Sequence, residues 1–309
     1  MDNLTHALIG LTLNNALPAT KRNWGTFWMS LVASELPDMD ILYRIKSGSA
    51  YLLNHRGISH SIPAMLVFAG LTTLVSRKAF PNNRPKLVFF LALGCLGLHI
   101  LFDLFTSWGT QFLAPLYNKW FYLDYLPIVD LVIIAIMLFF LLLRRTKRFN
   151  QKKIAFLAVV LISGFVMARG VTHAYLVDYL QEAYPNAHVA ILPGYSPLKW
   201  KGILEYENTL IKGDINLPGS GALENTKTIT VNQVPIEKYK DNDEFNRVTN
   251  FFRKPIYTIE NDKLVANDFY YDFREVVFPL DKQGKIAGRA SSGDRRSHIS
   301  YKPPDSVVF

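Results

Sequence analysis

The sequence predicts a helical integral membrane domain followed by a β-rich, α+β domain outside the membrane. Apolar residues concentrate in the first half of the 309-residue chain, whereas the second half has ordinary soluble polarity. Basic residues cluster in short stretches between the apolar segments, as in the cytoplasmic loops of membrane proteins. The second half also contains short alternating runs that are typical of strands. We therefore expect a helical transmembrane domain over residues 1–171 and a soluble domain over residues 172–309.

Six apolar segments predict five or six helices in the first domain. They cover residues 4–19, 24–36, 62–75, 87–105, 127–143 and 154–171. Only the last three approach the roughly 20 residues needed to cross a bilayer. The first two contain Asn14, Asn15 and Glu35, so they form either a re-entrant hairpin or two short spans. The first residues lack a basic region and a cleavage site, so we expect no cleavable signal peptide.

Lys and Arg predict the orientation of these helices. Lys21 and Arg22, the basic residues within 77–86 and those within 144–153 occupy alternate loops. The positive-inside rule assigns these loops to the cytoplasm. The opposite loops, near residues 39–60 and 108–126, then face outward, as does the C-terminal domain. We expect a multi-pass protein of the cytoplasmic membrane.

The C-terminal domain contains a predicted hairpin and one predicted helix. Residues 256–260 and 263–271 flank the Glu260-Asn-Asp-Lys263 turn, a pattern that favours two paired strands. Residues 241–252 have the spacing of an amphipathic helix.

Composition limits the chemistry that the chain can perform. Cys95 is the single cysteine, so neither a disulfide framework nor a thiolate metal cluster is available. A bound metal must use histidines and carboxylates. The net charge of +9 could indicate nucleic acid, but its concentration in short loops argues against that partner.

Two His and Asp pairs share a spacing of four residues. They are Asp2 with His6 and His99 with Asp103. In a helix, residues four apart project from one face and can bind one ion. The same geometry is thus predicted at two distant places in the chain.

Two further groups lie at predicted junctions between loops and helices. Asp38 and Asp40 follow a helix-ending proline, and His55 and His60 lie on either side of Gly57. The predicted topology brings all four, together with the two spaced pairs, to the outer face. Imidazole and carboxylate ligands suit zinc, manganese or iron, and we expect one to three divalent ions. Singly, each aspartate could instead cap a helix or a turn.

Three other residues are candidates for catalytic roles. Arg56, between two candidate ligands, could hold a phosphate in bidentate fashion. Glu35 could accept a proton, and Asp130, at the start of the fifth segment, could orient a ligand. A metal cluster that activates water and clamps oxygens is the usual arrangement for phosphoester or amide hydrolysis.

At these residues the sequence resembles the YdjM-type family of membrane-bound metal-dependent hydrolases, and its C-terminal part resembles the YfhP-like branch. The matching motifs are MDNLTHALIG at 1–10, LPDMD at 36–40, HRGISHS at 55–61 and HILFD at 99–103. The resemblance implies a divalent-metal hydrolase of the inner or cytoplasmic membrane, with ligand roles for the eight His and Asp residues. The HxxxD spacing is also similar to that of zinc-dependent phospholipase C and single-strand nucleases.

The preferred hypothesis is a membrane hydrolase that cleaves a phosphoester of a lipid or envelope precursor at the outer leaflet. Its partners would be membrane lipids and a small-molecule or lipid substrate. One alternative is a transporter of metal ions or protons, in which the same residues line a path. Another is a scaffold or sensor in which metal holds the helices together and the outer domain binds a partner.

Overall fold

The computed structural model describes residues 1–46, 50–51, 54–146, 150–231 and 234–292. The chain forms two compact units. The first comprises Met1–Ile41 and Asn54–Thr230, and the second comprises Leu42–Leu53 and Val231–Phe309. These units are defined by contacts within the chain and not by a membrane. The predicted boundary between a membrane domain and a soluble domain at residue 171 therefore stays a prediction. Residues 147–149 of the predicted third basic loop lie outside the described residues.

Six α-helices are present in the described part of the first unit. They are α1 (Asn3–Ala16), α2 (Trp24–Glu35), α3 (Ile62–Ala79), α4 (Pro85–Leu104), α5 (Leu131–Arg145) and α6 (Gln151–Ala183). Side chains at their amino ends explain several of the starts. Asp2 caps α1, Asn23 forms a capping box on α2, and Ser61 caps α3. Pro85 occupies the first turn of α4, where its fixed φ favours the helix and its missing N–H costs nothing.

Within the described residues, three helices are long and apolar enough to cross a membrane: Ile62–Ala79, Pro85–Leu104 and Lys153–Ala183. The predicted N-terminal helical region is thus confirmed, with three candidate membrane spans. The helices α1, α2 and α5 have 14, 12 and 15 residues. At 1.5 Å per residue they extend about 18–23 Å, which is less than a hydrocarbon core of about 30 Å. The predicted total of five or six membrane helices is therefore not established by length.

Apolar clusters hold the helices together, and two of them are large. One joins α1, α4, α5 and α6 and includes Ile9, Phe102, Ile133 and Val166. The other joins α2, α3 and α4 through Ala33, Ala69, Leu91, Ala92, Cys95 and Leu96. At Gly10, an added Cβ would lie 2.6 Å from the Ser30 carbonyl oxygen. The absence of a side chain at Gly10 thus permits the close approach of α1 to α2.

The first unit also contains an antiparallel sheet, in the order β1-β2-β3-β4. The strands are β1 (His188–Pro193), β2 (Lys199–Glu205), β3 (Thr209–Asn216) and β4 (Glu224–Thr230). The last turns of α6 cover this sheet, since Leu176 and Leu180 pack with Ile191, Trp200 and Ile215. Helix and sheet therefore share one apolar core.

The second unit contains the sheet β5-β6-β7-β8. Its strands are β5 (Pro255–Glu260), β6 (Lys263–Asp268), β7 (Tyr271–Pro279) and β8 (Ser291–Ser292), and helix α7 spans Asp243–Phe251. The two antiparallel sheets confirm the β-rich prediction. Asn261 and Asp262 both have positive φ, as the two-residue turn of a tight hairpin requires. Phe245 of α7 contacts the rings of Tyr257 and Phe278 in the sheet.

Candidate metal centre

Four buried or nearly buried side chains from three chain segments meet where several helices of the first unit begin or end. Asp38 follows α2, His60 precedes α3, and His99 and Asp103 lie one turn apart near the end of α4. Each residue offers one ligand atom, and these four atoms all lie within 4.8 Å of one another. Asp38 and His99 are 61 positions apart in the chain, and helix packing brings their side chains together. We call this group the four-residue cluster.

The distances within the four-residue cluster fit a single cation. Asp103 Oδ2 lies 3.2 Å from His60 Nε2 and 3.3 Å from His99 Nε2, and the two Nε2 atoms are 3.1 Å apart. Asp38 Oδ1 lies 3.4 Å from His60 Nε2 and 3.8 Å from His99 Nε2. Ligand atoms about 2.0 Å from a tetrahedral zinc ion would be separated by about 3.3 Å. The donor set therefore fits a zinc-sized ion after small side-chain adjustments.

Hydrogen bonds on the far side of each ring orient both histidines. His99 Nδ1 lies 2.7 Å from the Ser34 carbonyl oxygen, which only accepts, so Nδ1 carries the proton. His60 Nδ1 lies 3.0 Å from Ser59 Oγ and 3.5 Å from Asp40 Oδ2. These contacts direct the two Nε2 atoms toward each other. This is the arrangement by which a metalloprotein fixes the tautomer of a histidine ligand.

His6 adds a fifth group beside the cluster. Its ring stacks on that of His99, with the centroids 3.5 Å apart, and its Nε2 lies 3.3 Å from Asp103 Oδ1. The side chain is fully buried, and neither ring nitrogen has a hydrogen-bond partner in the described part of the chain. Asp103 Oδ2 likewise makes no hydrogen bond of good geometry there. Buried polar atoms are seldom left unpaired, and a cation in the cluster would satisfy both residues.

A second group comprises Asp38, Asp40 and His55, so Asp38 is common to both groups. Asp40 Oδ1 lies 2.8 Å from His55 Nδ1. Asp40 Oδ2 accepts hydrogen bonds from the backbone N–H of Arg56 at 2.9 Å and from Ser59 Oγ at 3.0 Å. Asp40 is therefore well satisfied by the protein alone. The four-residue cluster, with its unpaired atoms, has the stronger demand for an ion.

The electrostatics of Asp38 and His60 also favour a cation in the cluster. Burial opposes ionisation of Asp38, but the contact with His60 and the charge of His99 outweigh it and hold the pKa of Asp38 below its ordinary value. Burial also opposes protonation of His60, but contacts with Asp103 and Asp38 raise the pKa of His60 above its ordinary value. The carboxylates thus stay ionised and favour a cation between them, either a proton or a metal.

Residues 1–176 match the sequence profile of the family described as "YdjM inner membrane protein", which is more than half of the chain. The chain belongs to the YdjM inner membrane protein family. The predicted resemblance is therefore confirmed. Together with the apolar helices, this membership identifies the protein as a membrane protein.

A relative of this YdjM-family protein occurs in Bacillus subtilis (strain 168) under the description "Uncharacterized protein YfhP". It is 29% identical over 129 residues, which cover 39% of this chain and 39% of that protein. The match thus spans less than two thirds of the relative. No solved structure matches the chain.

Arg56 of this YdjM-family protein is buried with only 1% of its surface exposed. Its Nη2 lies 3.0 Å from Asp103 Oδ1, and its Nη1 donates to Thr106 Oγ1 at 2.8 Å. The Met1 nitrogen contacts the same Asp103 oxygen, and the Met1 carbonyl accepts from Nη2 at 3.3 Å. Arg56 therefore holds Asp103 in place. Its predicted role in binding a substrate phosphate stays a prediction.

The remaining predicted site residues lie at helix ends. Glu35 Oε2 accepts from Asn3 Nδ2 at 2.9 Å, and the same amide lies 3.4 Å from Asp38 Oδ2. Asp2 accepts from the backbone N–H and hydroxyl of Thr5, and Asp130 accepts from two backbone N–H groups at the start of α5. Asp2 and Asp130 belong to neither metal-binding group among the described residues. Their observed contacts are those of helix caps, and their predicted site roles stay predictions.

Several residues of the site were not singled out from the sequence. Asn3 connects Glu35 to Asp38, and the Ser34 carbonyl orients His99. The Trp108 ring faces the guanidinium of Arg56 at 5.9 Å and the ring of His55 at 5.7 Å. Asn3 lies inside the MDNLTHALIG motif, and this position is the feature of the sequence that could have identified it as a site residue. A backbone carbonyl such as that of Ser34 has no sequence signal.

Proposed function

We propose that this YdjM-family protein is a membrane-bound, metal-dependent hydrolase that cleaves a phosphoester of a lipid or envelope precursor. The observation that carries the proposal is the four-residue cluster, whose ligand atoms from three chain segments converge within 4.8 Å. Its donors are nitrogen and oxygen only, which suits zinc, manganese or iron. Asp38 also belongs to the second group, so it could bridge two ions.

A bound divalent ion would supply Lewis acidity toward water and the phosphoryl oxygens. The protein's own residues would supply positioning. Arg56 fixes Asp103 from one side through a 3.0 Å contact, and the Ser34 carbonyl fixes the His99 ring. Both ligands are thus held before substrate arrives, which is the condition for effective electrostatic catalysis.

Glu35 is the candidate proton acceptor in this proposal. Its Oε2 is committed to Asn3, whereas its Oε1 is buried and makes no hydrogen bond within the described residues. Asn3 also reaches Asp38, so Glu35 is tethered beside the cluster. A carboxylate oxygen that is fixed yet unpaired can accept a proton from water.

The position of the cluster favours a substrate at one membrane face. The end of α2, the start of α3 and the end of α4 all lie at the cluster, while the basic residues Arg77 and Lys78 lie in the last turn of α3, at its opposite end. The positive-inside rule then assigns the cluster to the outer face. We further propose that α3 to α6 cross the bilayer, with the 15-residue α5 as the shortest span, that α1 and α2 form a short hairpin, and that the β-rich C-terminal region is extracytoplasmic.

Paired measurements of metal content and turnover test the proposal. The purified protein should contain metal and hydrolyse at least one member of a panel of phospholipids and lipid pyrophosphates. The double variant His60→Ala/Asp103→Asn should lose both properties. The matched control His188→Ala/Asp178→Asn changes the same residue types at exposed positions of β1 and α6, and it should retain both.

The outcomes separate the hydrolase from its alternatives. Metal that persists unchanged in the folded double variant would refute the metal site. Metal that is lost without any hydrolysis by the parent protein would contradict the hydrolase and favour a metal-stabilised scaffold. Metal-dependent flux across vesicles, without hydrolysis, would favour the transporter alternative.

A further inference from the structure

A cavity lined by three arginines lies far from the metal cluster, at the other end of α1, α2 and α5. Its volume is about 750 Å³ and its lining residues are Leu11, Asn15, Arg22, Phe27, Leu141, Arg144 and Arg145. An adjoining space of about 470 Å³ shares three of these residues and adds Asn14, Asn23 and Trp24. Both spaces open onto the protein surface. We call the two together the arginine cavity.

The charges of the arginine cavity are not balanced by the residues that line it. Arg22 and Arg144 are close enough to repel each other electrostatically. None of the described residues that line the cavity is acidic. Arg22 Nη1 donates to the neutral amide oxygen of Asn15 at 3.3 Å. An anion between the two guanidinium groups would remove the repulsion.

Unpaired polar atoms give a second, independent indication of a ligand. The Nε atoms of Arg22 and Arg144 are buried and make no hydrogen bond within the described parts of the chain. Arginines that serve only as solvated charges expose their nitrogens to water. Both side chains line the cavity, and a guanidinium offers a planar fork of N–H donors that matches phosphate oxygens.

The other walls of the arginine cavity are apolar. Leu11, Phe27 and Leu141 contribute side chains from three different helices, and Trp24 beside them is 71% exposed. Tryptophan beside arginine at the end of apolar helices is typical of the membrane interface at headgroup depth. A ligand with an anionic head and an apolar body fits both kinds of wall.

We infer that the arginine cavity binds the phosphate headgroup of an anionic phospholipid. Arg22 and Arg144 contact the phosphate, and the three apolar residues contact the beginning of the acyl chains. The site is separate from the proposed hydrolytic centre, because α1 places His6 and Asn15 more than two turns apart. At 1.5 Å per residue this is about 13 Å along the helix. The inference does not depend on the proposed hydrolase activity.

Native mass spectrometry and thermal melts of the full chain in detergent test this inference. Phosphatidylglycerol should bind at least 10-fold more tightly than phosphatidylcholine and should raise Tm. The double variant Arg22→Gln/Arg144→Gln should lose this preference. In the absence of lipid, its Tm should equal or exceed that of the parent because the mutual repulsion is gone. This last readout shows that the variant is folded.

Matched controls decide between a built site and general surface attraction. The variant Arg77→Gln/Lys78→Gln removes two exposed charges from the end of α3 and should keep the preference for phosphatidylglycerol. An equal loss in both double variants would overturn the inference in favour of diffuse electrostatics. Inorganic phosphate and glycerol phosphate at the same concentration should raise Tm by less than a tenth of the lipid effect. An equal effect of free phosphate would overturn the assignment to a lipid.

Discussion

The Nε2 atoms of His60 and His99 lie 3.1 Å apart, although these residues are 39 positions apart in the chain. The Nδ1 of His99 is committed to the Ser34 carbonyl, so its Nε2 faces that of His60. A cation between these two nitrogen atoms, either a proton or a metal ion, relieves their mutual repulsion. The relationship therefore predicts that a bound metal ion stabilises the folded helices.

Removal of the metal should lower the thermal stability of the protein. An ion at 100 times its dissociation constant stabilises a folded state by about 2.7 kcal/mol, so we expect Tm to fall by several degrees on chelation and to recover with zinc. His99→Ala should abolish the effect of the chelator, whereas His188→Ala should leave it intact. Melts monitored by circular dichroism measure both. A chelator effect of equal size in His99→Ala would contradict the assignment of the ligand.

The sequence predicted the site more completely than it predicted the membrane crossings. His60, His99 and Asp103 were identified because imidazole and carboxylate groups near apolar segments have few structural uses. Basic residues occupy alternate loops, and this pattern predicted that the candidate ligands lie at the same membrane face. The sequence predicted the helices α1 and α2 but left open whether they cross the membrane, because their arrangement depends on packing, as at Gly10 against Ser30, and close contacts of this kind leave only weak traces in a sequence.

The role of Arg56 shows where sequence reasoning reached its limit. An arginine between two candidate ligands suggested a phosphate contact, and a linear motif cannot reveal that its guanidinium faces Asp103, 47 positions later. Similarly, the carboxylate of Asp2 caps α1 through Thr5, and local hydrogen bonds of this kind compete with metal coordination for the same oxygens. Three-dimensional contacts, and not residue type, distinguish these roles.

Arg56→Met should destabilise the protein because it removes one of the two cationic groups that contact the buried Asp103 carboxylate and leaves only the Met1 nitrogen. Breaking a buried ion pair on one side costs about 3–5 kcal/mol. We expect the loss of Tm to be larger in the chelated protein than in the metal-loaded one, since a bound ion also compensates Asp103. Arg77→Met, at an exposed position in α3, is the control and should change Tm by less than a degree. Equal losses with and without metal would argue that Arg56 acts only by packing.

Metal affinity should depend on pH through His60. Contacts with Asp103 and Asp38 raise the pKa of His60 above the ordinary value of about 6.5. A metal ion must displace this proton, so affinity should fall as the pH drops through the raised pKa, by about one log unit per pH unit below it. Above that pKa the affinity should level off. Competition with a chromophoric chelator from pH 5.5 to 8.5 measures the profile, and a constant affinity between pH 7 and 6 would contradict it.

Gly10→Ala should disturb the metal cluster from one side of α1. The new Cβ would lie 2.6 Å from the Ser30 carbonyl oxygen and 2.7 Å from Ser34 Oγ, so α1 must move away from α2. Overpacking of this kind costs about 1–3 kcal/mol. Because α1 carries His6 and the Ser34 carbonyl orients His99, metal content should fall together with Tm.

At Gly70 an added Cβ meets nothing within 4 Å, and Gly70→Ala in α3 should leave metal content unchanged and raise stability by about 0.5–1 kcal/mol. Mass spectrometry of bound metal beside thermal melts of the two variants separates the effects, and a Gly10→Ala protein with full metal and parental Tm would show that the close helix approach does not support the site.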